Sequence, residues 1–66
     1  VTSGLTAHQI ELLQALADGQ TALSVANSRG RSIKTIEKTI ARARRHLRAR
    51  TATQAVAAAL RRELID

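Results

Sequence analysis

Residues 21–48, TALSVANSRGRSIKTIEKTIARARRHLR, decide how this chain folds. Thr21 is a hydroxyl suited to capping a short helix whose inner face is Ala22, Val25 and Ala26. Gly30, Arg31 and Ser32 interrupt that run, and a second periodicity begins with Ser32 as its cap. Ile36, Ile40, Ala43 and Leu47 follow at i, i+4, i+7 and i+11, one continuous apolar stripe along an α-helix. Lys34, Lys38, Arg42, Arg45 and Arg48 or Ala49 take the other side, so core and charge are segregated around one cylinder. A short helix, a tight glycine turn and a longer basic helix form the pattern of a helix-turn-helix unit.

The same logic extends outward. Thr6-Ala7-His8-Gln9 fits a capping box, with Leu5 and Ile10 placed as the hydrophobic staple around it. Ile10, Leu13, Leu16 and Ala17 repeat at helical spacing, and Gly19 supplies a left-handed stop. Downstream, Thr51-Ala52-Thr53-Gln54 is a second T-x-x-Q box. It opens a helix whose expected inner face is Ala55, Val56, Ala59 and Leu60, with Leu64 and Ile65 closing the core. Alternation of β-branched residues never persists, so no strand is expected. The expectation is an all-α, four-helix domain spanning 1–66, with helices at about 7–18, 22–29, 33–48 and 52–63. Residues 1–4 are expected to be disordered or foreign to the fold.

Charge is distributed unevenly. Nine of the eleven Lys and Arg residues lie between Arg29 and Arg50, against the single acid Glu37. Residues 1–28 hold Glu11 and Asp18 as their charged side chains, and 51–66 balance Arg61 and Arg62 against Glu63 and Asp66. A basic third between acidic and neutral flanks points to a polyanionic partner, with DNA the first candidate.

Composition excludes several classes. The chain has no Phe, Trp or Tyr, so it has no ring on which to stack unpaired bases or to anchor in a membrane surface. No apolar run approaches the ~18 residues of a membrane span. There is no cysteine for a disulfide or a thiolate metal site, and His8 and His46 stand far apart. No nucleophile–base pair, paired carboxylates or phosphate-cradling glycine loop suggests an enzyme, and no cofactor is implied. With 66 residues the core is thin, and a second copy of the chain is the most available source of added stability.

The chain resembles the LuxR-type (GerE-like) DNA-binding domain of bacterial transcriptional regulators, without a gap from Leu5 to Ile65. Leu5-Thr6, Glu11-Leu12-Leu13 and Leu16-Ala17-Asp18-Gly19 resemble the family's opening L-T, its E-V-L and its L-A-x-G. Val25-Ala26 is similar to I-A, and Ser32-Ile33-Lys34-Thr35-Ile36-Glu37 to S-x-x-T-V-[KE]. Leu47 fits the later K-L, and Thr53-Gln54-Ala55-Val56 resembles T-E-A-V. The chain departs from the family at Gln9 (usually Glu), Thr39 (His), Arg29 (a core Leu), Ala43 (Ile) and Arg48 (often Gly). The resemblance implies a cytoplasmic, nucleoid-associated bacterial protein that docks its helix starts on the DNA backbone and dimerises through the fourth helix. It also implies that an N-terminal receiver or ligand-binding domain can precede such a module.

On these grounds the base-contacting candidates are Lys34, Glu37, Lys38, Ala41 and Arg42. Lys38 and Arg42 can donate to guanine, Glu37 can accept from cytosine N4, and Ala41 can touch a thymine methyl. Thr21, Arg31, Ser32, Thr35, Arg44, Arg45 and Arg48 are the phosphate candidates. Gln54, Ala57, Ala58 and Arg61, opposite the expected core face of the fourth helix, are the dimer candidates. Plainer readings stand beside these. Thr6, Ser32 and Thr51 are caps whatever the function, Thr21 and Thr35 could serve capping or packing alone, and Glu37 could simply pair with Lys34 or Arg42 along its helix. His8 and His46 read as surface residues. A basic face for an acidic protein partner, or non-specific nucleic-acid binding, are the alternatives to sequence-specific binding.

Overall fold

Each helix of this protein is opened by a hydroxyl side chain that accepts a hydrogen bond from the third residue of the helix. The computed structural model describes residues 4–66. In it α1 (Ala7–Ala17), α2 (Ala22–Arg29), α3 (Ile33–Leu47) and α4 (Ala52–Arg61) follow Thr6, Thr21, Ser32 and Thr51. No strand occurs among the described residues. The protein is a small all-α domain of four helices. The expectation for residues 1–4 lies largely outside the described residues; Gly4 itself is a bend at φ +77°.

The caps differ in detail from the expectation. At Thr6 the box is reciprocal: Gln9 N donates to Thr6 Oγ1 and Thr6 N donates to Gln9 Oε1, both at 3.1 Å. Thr21 and Ser24 form a second reciprocal box, which the sequence pattern had not suggested because Ser24 is shorter than the usual Glu or Gln. The expected box at Thr51 is only half made. Gln54 N reaches Thr51 Oγ1 at 3.0 Å, but Gln54 Oε1 accepts from Arg50 N at 2.8 Å, one residue before the cap.

All four helices end in the same backbone closure, in which the N–H two residues beyond the last turn bonds back across it. The bonds are Gln20 N to Ala15 O, Arg31 N to Ala26 O, Ala49 N to Arg44 O and Leu64 N to Ala59 O, at 2.9–3.1 Å. Each closure needs one left-handed residue. Gly19 and Gly30 fill two of these places without steric cost, whereas Arg48 (φ 55°) and Glu63 (φ 59°) fill the others. The helices therefore stop earlier than expected, α1 at Ala17, α3 at Leu47 and α4 at Arg61.

The core has two parts with α1 between them. Leu13 joins Leu5, Ala43, Leu47, Ala55, Ala58, Ala59 and Ile65, while its neighbour Leu12 joins Val25, Ala26, Ile36 and Ile40. α3 spans both parts and packs on the other three helices, whereas α2 and α4 lie apart. Two inner faces differ from the expectation. In α1 the buried positions are Gln9, Leu12 and Leu13, and Ala17 is exposed. Leu12 buries far more apolar surface than Ala17, and flanking clusters on two sides favour an adjacent leucine pair. In α4, Ala58 is buried at 8 % exposure and Leu60 is 44 % exposed, the reverse of the expectation. Ile65, which follows the left-handed turn at Glu63, is buried in the core as expected.

Candidate nucleic-acid interface

The face of α3 opposite Ile36, Ile40, Ala43 and Leu47 is a row of solvated bases. Lys34, Lys38, Arg42 and Arg45 are exposed, and Ala41 is half-buried between them. One stripe of large aliphatic residues holds the helix to the core, and 3.6-residue periodicity dictates that the remaining side chains point away. Arg31 and Ser32 are exposed at the start of the helix, and Arg48 at its end. The structure thus keeps the expected α3 site residues on one basic helix, with the apolar side anchored.

Glu37 is exposed, and its side chain makes no hydrogen bond or ion pair with another described residue. Its pairing with Lys34 or Arg42 is not formed. A carboxylate in a field of unpaired cations weakens attraction to any polyanion, so its place on this face is informative about what the face meets.

The hydroxyls at the helix starts are partly committed. Ser32 Oγ accepts from Thr35 N at 3.2 Å and lies 2.9 Å from Thr35 Oγ1. One of those two hydroxyl protons bridges the pair, which leaves the other O–H to donate outward. Thr39 Oγ1 donates to the Thr35 carbonyl at 3.0 Å and extends the same polar edge. Thr21 Oγ1 accepts from Ser24 N, and its own proton remains for an outside acceptor. Both helix starts accordingly present a free hydroxyl beside backbone N–H groups, the arrangement that accommodates an oxygen anion.

Two bases behave differently from the rest. Arg44 is half-buried, and its Nε is sealed from solvent with no hydrogen-bond partner. Only its terminal nitrogens are open to an outside anion, so it is a weaker phosphate candidate than Arg45 or Arg48. Arg29 Nη1 lies 3.4 Å from His8 Nδ1, a contact that ties the last residue of α2 to the first turn of α1. Sequence reading missed that pairing because the two residues are 21 positions apart and neither has a partner at helical spacing. His46 packs against Gly4, whose missing Cβ would fall 3.0 Å from the imidazole Nδ1.

The four α4 candidates come together in an unexpected form. Gln54, Ala57, Ala58 and Arg61 line a groove of about 370 Å³ with Leu47, Arg48 and Ala49 from the end of α3. Ala58 belongs to its floor and to the core and is not part of an open face, which corrects its assignment as an exposed contact residue. Leu60 was missed as a surface residue, because alanines on both sides of α4 leave its phase undeclared.

Among the described residues, no group of three or more His, Cys, Asp or Glu could hold a metal ion, and no helix is long and apolar enough to cross a membrane. No protein-family model, curated protein or solved structure matches the chain.

Proposed function

We propose that this chain is a sequence-specific double-stranded DNA-binding domain of a bacterial transcriptional regulator, of the LuxR type that its sequence resembles. The observation that carries this reading is the outer face of α3: unneutralised bases with one unpaired acid, on a helix that starts directly from a tight turn. A major groove about 12 Å wide admits one such helix, and α2 and the turn would lie across the backbone. Lys34, Lys38 and Arg42 offer donors to guanine, Glu37 an acceptor for cytosine N4, and half-buried Ala41 a methyl-sized contact for thymine. Arg31, Ser32, Thr35 and Thr21 would hold phosphates at the helix starts, and Arg45 and Arg48 farther along, with a smaller share from Arg44.

A homodimer through α4 on an inverted repeat accompanies this reading, with exposed Leu60 added to the expected contact residues. Exposed Leu60, together with Thr53 and Ala57 at i−7 and i−3, supplies the apolar surface that a two-fold contact needs. The two α3 helices would then sit about one DNA turn, ~34–36 Å, apart. As a transcriptional module the protein would act in the bacterial cytoplasm, under an N-terminal regulatory domain where one is attached.

Electrophoretic mobility shift across a salt series, on random duplex and on duplex enriched by selection, tests the proposal. The expected result is tight binding to enriched sites, with affinity falling steeply as salt rises because bound cations are released from the DNA. No shift at low salt would sink DNA binding. Equal affinity for both pools would reduce it to non-specific binding.

A further inference from the structure

The groove between α3 and α4 carries chemistry that the proposed duplex binding uses only at Arg48. Its floor is apolar: Leu47 and Ala58 are buried there, and Ala49 and Ala57 are half-buried. Its rim is Arg48, Arg61 and Gln54, all exposed. The guanidiniums can only donate, and Gln54 Oε1 is already occupied by Arg50 N at 2.8 Å, which leaves the amide N–H groups of Gln54 facing outward. No carboxylate lines the groove, and neither arginine is paired within the described residues. The side chains at the rim therefore present donors and positive charge around a small apolar floor. The left-handed turn at Arg48, closed by Ala49 N to Arg44 O at 2.9 Å, fixes where the Arg48 side chain leaves the backbone.

We propose that this groove is a docking site for an acidic peptide segment that sets an aliphatic side chain on the alanine floor between carboxylates held by Arg48 and Arg61. A volume of about 370 Å³ is enough for an anchor side chain and its flanks. Charge complementarity selects the occupant. A second copy docked here symmetrically would set the Arg48 and Arg61 of one groove against those of the other, a like-charge contact that opposes association. Duplex phosphates satisfy the arginines but leave the apolar floor wet, whereas an acidic amphipathic segment uses both. Arg48 also lies at the end of the proposed DNA face, so an occupant of the groove competes with DNA at that corner.

The test is titration of isotope-labelled protein, followed by amide NMR shifts, with a synthetic helical peptide that places leucine between glutamates. Two comparison ligands are the same peptide with serine for leucine, and inorganic polyphosphate. Shifts confined to Leu47, Ala49, Gln54, Ala57, Ala58 and Arg61 are expected, with affinity reduced about tenfold or more by the serine peptide because the floor contact is lost. Arg61→Glu should weaken the leucine peptide by a similar factor with an unchanged thermal melt; if that variant fails to fold, Ala57→Glu, which fills the groove, takes its place. Equal binding of the two peptides, or shifts spread along Lys34 to Arg45, would overturn the proposal in favour of charge alone. The same shift pattern with polyphosphate would assign the groove to nucleic acid, and concentration-dependent shifts without peptide at Leu47, Ala49 and Gln54, beyond the proposed Leu60 contact, would assign it to a second copy; either outcome also overturns it.

Discussion

The apolar faces of α3 and α4 are built from different materials. α3 buries Ile36, Ile40 and Leu47 with one alanine, whereas α4 buries Ala55, Ala58 and Ala59. Bulky aliphatic side chains declare which side of a helix is inward, because each removes far more apolar surface from water than alanine does. Alanines declare little. They allow α4 to lie close against its neighbours, but the phase of that contact is set by which alanines the surrounding helices leave room for. The difference teaches why the basic face of α3 was placed correctly while the outward face of α4 was rotated.

The contrast can be broken first at the core. Ile36 is 0 % exposed and anchors α3 against α2, so Ile36→Ala should destabilise by about 2–5 kcal/mol. In a core this small that approaches the whole stability of the domain, and chemical denaturation should show an unfolded or barely folded chain. Retention of most of the stability would mean that α3 is not held by its stripe. The outer side of the same helix should answer in binding and not in folding. Lys38→Ala is expected to relax preference at one or two base pairs by ~1–3 kcal/mol in competition mobility shifts, with the thermal melt unchanged. A uniform loss across all sequences would move Lys38 to the phosphates and shift the phase of α3 in the groove.

Arg48 joins the two helices and opposes stability to binding. Arg48→Gly should stabilise by roughly 0.5–1 kcal/mol, since glycine occupies the left-handed region without a Cβ penalty but loses more freedom on folding. The same variant should bind duplex more weakly and with a shallower salt dependence, by about one charge. Gly30, which closes α2 by the same turn, already has that freedom. The smallest effect is expected at Leu60. Leu60→Ala should change monomer stability by no more than ~0.5 kcal/mol, because the side chain is exposed. Sedimentation should nevertheless show weaker self-association. A large loss of stability would return Leu60 to the core and undo the rotation of α4.

Much of the fold was legible because its punctuation is local. Thr6, Thr21, Ser32 and Thr51 cap helices through bonds that span three residues, and Gly19 and Gly30 mark ends that need a positive φ. The ends at Arg48 and Glu63 were not legible in the same way, since neither residue favours the left-handed conformation that their closing backbone hydrogen bonds require. In the candidate interface, Lys34, Glu37, Lys38 and Arg42 were visible from periodicity alone. The contact between His8 and Arg29, the sealed Nε of Arg44 and the groove lined by Arg48 and Arg61 were not. The first joins residues 21 positions apart, and the groove needs the packing of α4 against the end of α3.

The amino-acid sequence by itself determined four helices, their hydroxyl caps and the segregation of charge from core around α3. Those features follow from propensity, capping and 3.6-residue spacing, which act over a few residues. Tertiary structure alone decided that α1 divides its leucines between two clusters, that Ala58 and not Leu60 faces the core, and that the end of α3 and one side of α4 line a donor-rimmed groove. Alanine-rich faces fit a helix against its neighbours in more than one rotation, and the choice between them is made by the combined shape of all four helices.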